Sequence, residues 1–198
     1  MKKIICLTIL CFIAVLPVSS HATSIEQNVH DTGYYFGYGV FGQSFTATET
    51  SINSIKIVVG DWNKFLGSDF SLKLNLYAGS GFGGAVLATD SDTLPANFSD
   101  NATWWAFDFA TPVHLTVGET YTFSVDSTNG DRGGIYMGSN NPYASGTAWR
   151  NGEVFNNYDL AFQIPADAAP SVPEPSTLLL LGGGLLGLGF ARKRFAKK

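Results

Sequence analysis

The stretch Phe70-Ser71-Leu72-Lys73-Leu74-Asn75-Leu76 alternates apolar with polar side chains, and this alternation decides the fold. Successive side chains of a β-strand point to opposite faces, so a period of two places Phe70, Leu72, Leu74 and Leu76 on one face. An amphipathic α-helix would instead repeat its apolar positions every three to four residues. The stretch therefore predicts a strand with one face in a hydrophobic core.

The same period of two recurs along the body of the chain, at residues 55–59, 105–109, 121–125 and 160–164. Turn-forming segments separate these stretches, among them Gly79-Ser80-Gly81, Asn129-Gly130-Asp131 and Asn140-Asn141-Pro142. Glycine and asparagine accept the positive φ that tight turns need. Many short strands separated by such turns predict an all-β protein, an antiparallel jelly-roll-like β-sandwich of about eight or nine strands.

The N-terminal segment has the organisation of a secretory signal peptide. Lys2 and Lys3 precede an apolar run, and Ser20-His21-Ala22 supplies the small residues that a signal peptidase reads, with cleavage expected after Ala22. An uncleaved N-terminal anchor is the alternative. Both cysteines, Cys6 and Cys11, lie in this segment, so the mature chain is expected to use neither a disulfide nor a cysteine-based site.

The C-terminal segment has three parts: the motif Pro173-Glu174-Pro175, an apolar run, and the basic cluster Arg192-Lys193-Arg194. As a helix, the apolar run over 177–191 would be roughly 23 Å long, a little short of the hydrocarbon core, and snorkelling arginines could make up the difference. Because the basic residues follow the run, the positive-inside rule leaves the extreme C-terminus cytoplasmic and the rest outside.

These three parts resemble the PEP-CTERM sorting signal of Gram-negative bacteria. The resemblance covers only about the last twenty-seven residues. It implies export, retention in the bacterial membrane and cleavage near the motif by an exosortase, often in bacteria that secrete exopolysaccharide. The alternative is a simple membrane anchor that no protease processes.

The chain is thus expected to have five parts. They are a signal peptide at 1–22, an irregular arm or edge strand at 23–42, a β-sandwich at 43–166, a Pro/Ala linker with the sorting motif at 167–175, and a transmembrane helix with a basic tail at 176–198. The exported part holds five basic residues against all sixteen acidic residues, which gives a net charge of −11. Such an acidic body argues against nucleic acid as a partner.

Aromatic and basic side chains in strands and loops are the candidates for ligand binding: Trp104, Tyr143, Trp149 and Arg150. Sugar faces carry C–H groups that stack on aromatic rings. Trp104 is out of phase with Trp105, so it is expected to face out of the sandwich. Tyr143, Trp149 and Arg150 lie in the Gly/Asn-rich segment 138–157, and Trp62 lies in another loop. The alternative is that these rings cap the ends of the sandwich and are half-buried.

For a metal, Asp159 is the best candidate, as the ligand of a structural calcium ion; Asp61, Asp126 and Asp131 are the other loop or strand-end carboxylates. The alternative for Asp159 is a solvent-facing or turn-capping role. No catalytic residue is proposed, because the sequence contains none of the common nucleophile, zinc-protease or phosphate-binding motifs. His114 alternates with two apolar residues and is expected to be a solvated strand residue.

The pattern of the body is similar in outline to jelly-roll domains of extracellular bacterial proteins and to carbohydrate-binding modules. Three functions follow as expectations. The first is a non-enzymatic cell-surface or matrix protein associated with exopolysaccharide. The second is a specific carbohydrate-binding protein. The third and weakest is a polysaccharide hydrolase, which would need two carboxyl groups facing each other across a cleft.

Overall fold

The computed structural model describes residues 24–60, 69–95, 98, 101–128 and 133–166. Within these ranges the chain forms thirteen β-strands and one short 3-10 helix, Phe36–Tyr38. The strands are β1 (Ile25–Gln27), β2 (Thr32–Tyr35), β3 (Phe41–Thr46), β4 (Ser51–Gly60), β5 (Phe70–Ala78), β6 (Val86–Leu94), β7 (Thr103–His114), β8 (Thr120–Ser127), β9 (Gly134–Ser139), β10 (Ala148–Arg150), β11 (Glu153–Val154), β12 (Tyr158–Leu160) and β13 (Phe162–Ile164).

The strands form two antiparallel sheets. In the first sheet the order is β1-β13-β4-β9-β12, with β2 also paired to β9 and β7 to β4. In the second sheet the order is β11-β10-β3-β8-β5-β6. The predicted all-β class and antiparallel pairing are confirmed, and the jelly-roll arrangement stays a prediction. The strands outnumber the predicted eight or nine because several have only two to four residues, too few to show an alternation.

The core lies between the two sheets. Phe70, Leu72, Leu74 and Leu76 are all fully buried, as their alternation predicted. The ring of Phe123 in the second sheet meets the ring of Phe162 in the first at a centroid distance of 5.5 Å. These contacts place the apolar faces of the two sheets against each other, with the polar positions facing outward.

The segment predicted as an arm or edge strand contributes two short strands to the first sheet. β1 pairs with β13, and β2 pairs with β9. The ring of Tyr34 in β2 lies 6.0 Å from that of Phe41 in β3, which belongs to the second sheet. Part of this aromatic segment therefore contributes to the contact between the sheets.

Along one side of the sandwich, side chains of β6 reach across to β7. Trp105 Nε1 donates a hydrogen bond to Asp92 Oδ2 at 2.9 Å, and the Asp108 backbone N–H donates to Asp90 Oδ2 at 3.0 Å. His114, at the end of β7, is exposed between buried neighbours, as predicted. The two carboxylates therefore join the second sheet to the first along this side.

At the opposite end of the second sheet's strand order, β10 and β11 form a hairpin with the two-residue turn Asn151-Gly152. Both turn residues have positive φ, 54° and 84°. Two consecutive positive φ angles match the right-handed twist of a tight hairpin, and an Asn-Gly pair adopts them readily. The turn holds Trp149 opposite Val154 and Arg150 opposite Glu153.

Candidate functional site

The first predicted site residue, Asp159, lies inside the sandwich with 1% of its surface exposed. Its Oδ1 accepts a hydrogen bond from Gln43 Nε2 at 2.9 Å, and its Oδ2 accepts one from the Tyr143 backbone N–H at 2.9 Å. Its own carbonyl oxygen accepts a third bond, from Gln27 Nε2 at 3.1 Å. Asp159 thus connects β12 to β3, to β1 and to the loop that follows β9.

Gln43 is held by its own network. Its Oε1 accepts from the Leu160 backbone N–H at 2.9 Å, and its Nε2 also donates to the Ser44 carbonyl oxygen at 3.2 Å. The amide is therefore fixed in the orientation that presents Nε2 to Asp159. A buried polar pair of this kind is tolerated because its donors and acceptors find partners.

Burial raises the pKa of the Asp159 carboxyl above its ordinary value, and the hydrogen bonds from Tyr143 and Gln43 oppose that rise. Both carboxylate oxygens already accept hydrogen bonds from N–H groups. A calcium ion would instead need these and further oxygen atoms around it as ligands. Among the described residues, no three His, Cys, Asp or Glu side chains come close enough together to hold a metal ion. In this geometry Asp159 accepts hydrogen bonds that stabilise the fold, and the calcium site stays a prediction.

A cleft of about 330 Å³ borders this network, and we call it the Asp159 cleft. Its walls come from the loop after β9 and from the chain between β10 and β12, including parts of those strands, and they include Tyr143, Phe155, Tyr158 and Asp159. Two of the predicted site residues, Tyr143 and Asp159, therefore come together here. Three aromatic side chains and two asparagines are in the lining, and among the described lining residues Asp159 is the one carboxylate.

Tyr143 is anchored to the core rather than displayed. Its ring meets that of Phe162 edge-on, at a centroid distance of 5.1 Å and an interplanar angle of 88°. Burial, followed by the nearby charge of Asp159, raises the pKa of Tyr143. The Tyr143 ring therefore contacts the core through Phe162 and also lines the cleft, and its role in ligand binding stays a prediction.

Trp149 lies on the outer face of the second sheet. Its strand neighbour Ala148 is buried on the inner face, and Trp149 itself is half-buried. The Trp149 ring lies 6.4 Å from that of Phe82, which lies 5.8 Å from the ring of Tyr77 in a stacked arrangement. We call Tyr77, Phe82 and Trp149 the aromatic row. All three residues are half-buried, so each keeps part of its surface in solvent, and the Trp149 indole Nε1 is a buried atom without a hydrogen-bond partner among the described residues.

Gly42 makes room for the aromatic row. A Cβ at Gly42 would lie 2.5 Å from Phe82 Cε1 and 2.4 Å from the Phe123 carbonyl oxygen. The loop that carries Phe82 is tied to the sheet by hydrogen bonds of Thr122, whose Oγ1 accepts from the Gly81 N–H at 2.9 Å and donates to the Gly79 carbonyl at 2.8 Å. Phe82 is therefore fixed over the sheet by contacts on both sides.

Arg150 points to the inner side of the hairpin. Its guanidinium carbon lies 5.5 Å from the ring centroid of Tyr38, 5.8 Å from that of Phe155 and 6.0 Å from that of Phe41. Its Nε donates to the Tyr38 carbonyl oxygen at 3.1 Å. These cation–π contacts stabilise the end of the sandwich, with Arg150 engaged by aromatic partners.

The structure does not bring Trp104 together with the other candidates. Trp104 lies in β7 of the first sheet, opposite Val58, and is half-buried. Trp105 packs against Phe98 at a centroid distance of 5.4 Å, in keeping with its predicted inward position. Because β7 and β10 belong to different sheets, Trp104 and Trp149 do not form one surface.

Several predicted residues lie outside the described part of the chain. These are the cleavage residue Ala22, the motif Pro173-Glu174-Pro175, the basic cluster Arg192-Lys193-Arg194, and the loop residues Asp61, Trp62 and Asp131. Asp126, in β8, is described and lies opposite Lys73 of β5. Within the described ranges, no helix has the length and apolar character to cross a membrane.

Three residues described here were not among the candidates predicted from the sequence: Gln43, Tyr77 and Phe82. Gln43 alternates with Phe41 and Phe45, so the period of two could have identified it as a buried polar residue. Tyr77 follows Leu76 out of phase and could have been placed on the outer face. Phe82 stands in a glycine-rich loop, and no local pattern shows that its ring folds back over the sheet.

A comparison with protein-family models identifies one match, described as a PEP-CTERM protein-sorting motif, over residues 171–194. No curated protein matches the chain. The match covers the Pro-Glu-Pro motif, the apolar run and the basic cluster quoted above, and it implies an exported, membrane-transiting protein that an exosortase processes. The chain thus carries a PEP-CTERM sorting motif behind a domain of two antiparallel β-sheets.

Proposed function

We propose that this protein is a non-enzymatic component of the bacterial cell surface or extracellular matrix, delivered through its PEP-CTERM tail. The observation that carries the proposal is the motif match at 171–194. In this account the signal peptide is removed after Ala22, and the C-terminal helix holds the protein in the inner membrane. Exosortase then cleaves near Pro173-Glu174-Pro175 and releases the domain outside the cytoplasm.

The domain itself supports a passive role. Among the described residues that line the Asp159 cleft, Asp159 is the single carboxylate, and it already accepts hydrogen bonds at both oxygens. A hydrolase of sugars would use two carboxyl groups, one as an acid and one as a base or nucleophile. The described part of the cleft lining therefore supplies no second acid, and its one acid is already hydrogen-bonded.

The second candidate function is binding of exopolysaccharide, and one observation favours it. The outer face of the second sheet displays a row of half-buried aromatic rings on an extracytoplasmic domain. This proposal includes a jelly-roll-like fold similar to that of carbohydrate-binding modules. The two antiparallel sheets support it, because their neighbouring strands are mostly not consecutive in the chain. A structural calcium ion at Asp159 also belongs to it.

The delivery proposal is tested by replacing the motif with alanine, Pro173→Ala, Glu174→Ala and Pro175→Ala together, and measuring intact mass and membrane partition of the protein from its host. The wild type is expected to lose every residue after the cleavage point, and the variant to retain them in the membrane fraction. Pro170→Ala, a linker change just outside the matched residues, is the control and is expected to be processed normally. Retention of the whole tail by the wild type would overturn the proposal.

A further inference from the structure

The outer face of the second sheet combines the aromatic row with uncharged polar side chains. Outer-face positions follow from the register, in which Asn75 lies opposite both Ser124 and Thr89, and Tyr77 lies opposite Thr122. Asn75 Oδ1 accepts a hydrogen bond from Thr89 Oγ1 at 2.9 Å. Further along β5 and β6 the next outer-facing pair is Lys73 and Ser91, and beyond it the Ser71 and Thr93 hydroxyls are 2.8 Å apart. The half-buried Asn75 amide and the exposed Thr89 hydroxyl therefore lie near Tyr77, whereas Thr122 and Ser124 are buried.

Charge on this face is sparse and balanced. Lys73 and Asp126 are directly opposite each other across β5 and β8. Asp90 and Asp92 lie opposite the buried Leu74 and Leu72, and their carboxylates bond to β7. The one arginine of β10, Arg150, is engaged on the inner side by Tyr38, Phe41 and Phe155. The face therefore offers an anionic ligand few cationic contacts, on a protein whose exported part carries a net charge of −11.

From these observations we infer that the aromatic row is the binding surface for an uncharged polysaccharide. The C–H faces of neutral sugar rings would lie on Tyr77, Phe82 and Trp149, and sugar hydroxyls would bond to the flanking hydroxyl and amide groups. A polyanionic chain would be repelled by the acidic domain. The inference rests on the proposed association with exopolysaccharide, and it names the surface and the class of sugar.

The rings of the aromatic row are held in place before any ligand binds. This helps binding through stacking contacts that are individually weak. Phe82 is held between Tyr77 and Trp149, and its loop is tied to Thr122 by two hydrogen bonds. Rings that are fixed before binding lose little conformational entropy when a ligand settles on them. An extended polymer can also contact several such rings at once.

The experiment uses the processed protein purified from its host and the host's own exopolysaccharide, separated into neutral and acidic fractions by anion exchange. Binding is measured by affinity electrophoresis in gels containing each fraction. The neutral fraction is expected to retard the wild type, and Trp149→Ala and Tyr77→Ala are expected to weaken that binding by about tenfold or more, the loss of a buried stacking ring. Trp104→Ala, a tryptophan removed from the other sheet, is the matched control and is expected to bind within about twofold of wild type.

Thermal unfolding of each variant establishes that the fold is kept, and Trp149→Phe, which retains an aromatic ring, is expected to restore most of the binding. Failure to bind either fraction would remove the exopolysaccharide proposal together with this inference. Binding to the acidic fraction alone, or equal loss with Trp104→Ala, would overturn the inference while the association stands. A wild type that self-associates through Trp149 without polysaccharide would assign the row to a second copy of the chain, which also overturns it.

Discussion

Gln43 Nε2 donates a hydrogen bond to Asp159 Oδ1 at 2.9 Å, and this buried pair joins two strands that are 116 residues apart. Replacing the acid with Asp159→Ala would leave the Tyr143 N–H without its acceptor and Gln43 Nε2 with only its longer bond to the Ser44 carbonyl oxygen. An unsatisfied buried group costs about 1–3 kcal/mol, so we expect the free energy of unfolding to fall by at least about 2 kcal/mol.

Urea denaturation of the purified protein measures this change. Asp126→Ala removes a half-exposed carboxylate from β8 and serves as the control, with an expected change within about 0.5 kcal/mol. Equal stability of Asp159→Ala and the wild type would show that the network contributes nothing to the fold.

The pKa of Asp159 predicts a dependence of stability on pH. Because burial raises the pKa in the folded state, Asp159 contributes most at pH values below its unfolded pKa, and the contribution declines as pH rises through the folded pKa. Relative to Asp159→Asn, which does not titrate, the wild type should therefore gain stability as pH falls from neutral into the acid range. Urea midpoints of both proteins across that range provide the measurement.

Asp31 serves as a control, because its pKa is shifted in the opposite direction to that of Asp159. Ser139 donates hydrogen bonds to its carboxylate through the hydroxyl, at 2.8 Å, and the backbone N–H, at 3.0 Å, and these bonds lower the pKa of Asp31. Its contribution is present above the unfolded pKa and is lost as pH falls through the folded pKa. The advantage of the wild type over Asp31→Asn should shrink on acidification. If both differences moved in the same direction, the assignment of the two pKa shifts would be wrong.

The bond from Trp105 to Asp92 predicts a coupling between the two sheets. Because one partner is charged and the pair is only partly buried, we expect the hydrogen bond to contribute about 1 kcal/mol. A double-mutant cycle of Trp105→Phe and Asp92→Ala, with stability measured by urea denaturation, gives the interaction energy of this pair. Additive effects of the two changes would show that the hydrogen bond between Trp105 and Asp92 contributes nothing to stability.

Gly42 is required by the close approach of Phe82 and of the β8 backbone. Gly42→Ala places a methyl group against the Phe123 carbonyl oxygen, which cannot move without disturbing the sheet. We expect a loss of about 1–3 kcal/mol in the free energy of unfolding. Gly83→Ala, in the loop that carries Phe82, meets no atom within 4 Å and is the matched control. Equal stability of the two variants would contradict the packing described for the aromatic row.

Local alternation was enough to predict the class of fold, because each strand carries its own inward and outward positions. Phe70, Leu72, Leu74 and Leu76 are buried as expected. The site was less accessible to this reasoning, because Gln43 and Asp159, or Phe82 and Trp149, meet only once distant strands are in register. Trp104 illustrates the same limit: its outward phase was read from neighbouring residues, while its separation from Trp149 depends on which sheet each strand joins.

The central claim is that an exosortase removes the C-terminal tail of an exported protein, and intact-mass measurement in two host strains tests it most directly. In a strain with the exosortase, we expect a mass that lacks residues 1–22 and everything after the cleavage point near Pro173-Glu174-Pro175. In a strain without the enzyme, the same protein should keep residues through Lys198 and remain in the membrane fraction. The same tail length in both strains would contradict the account.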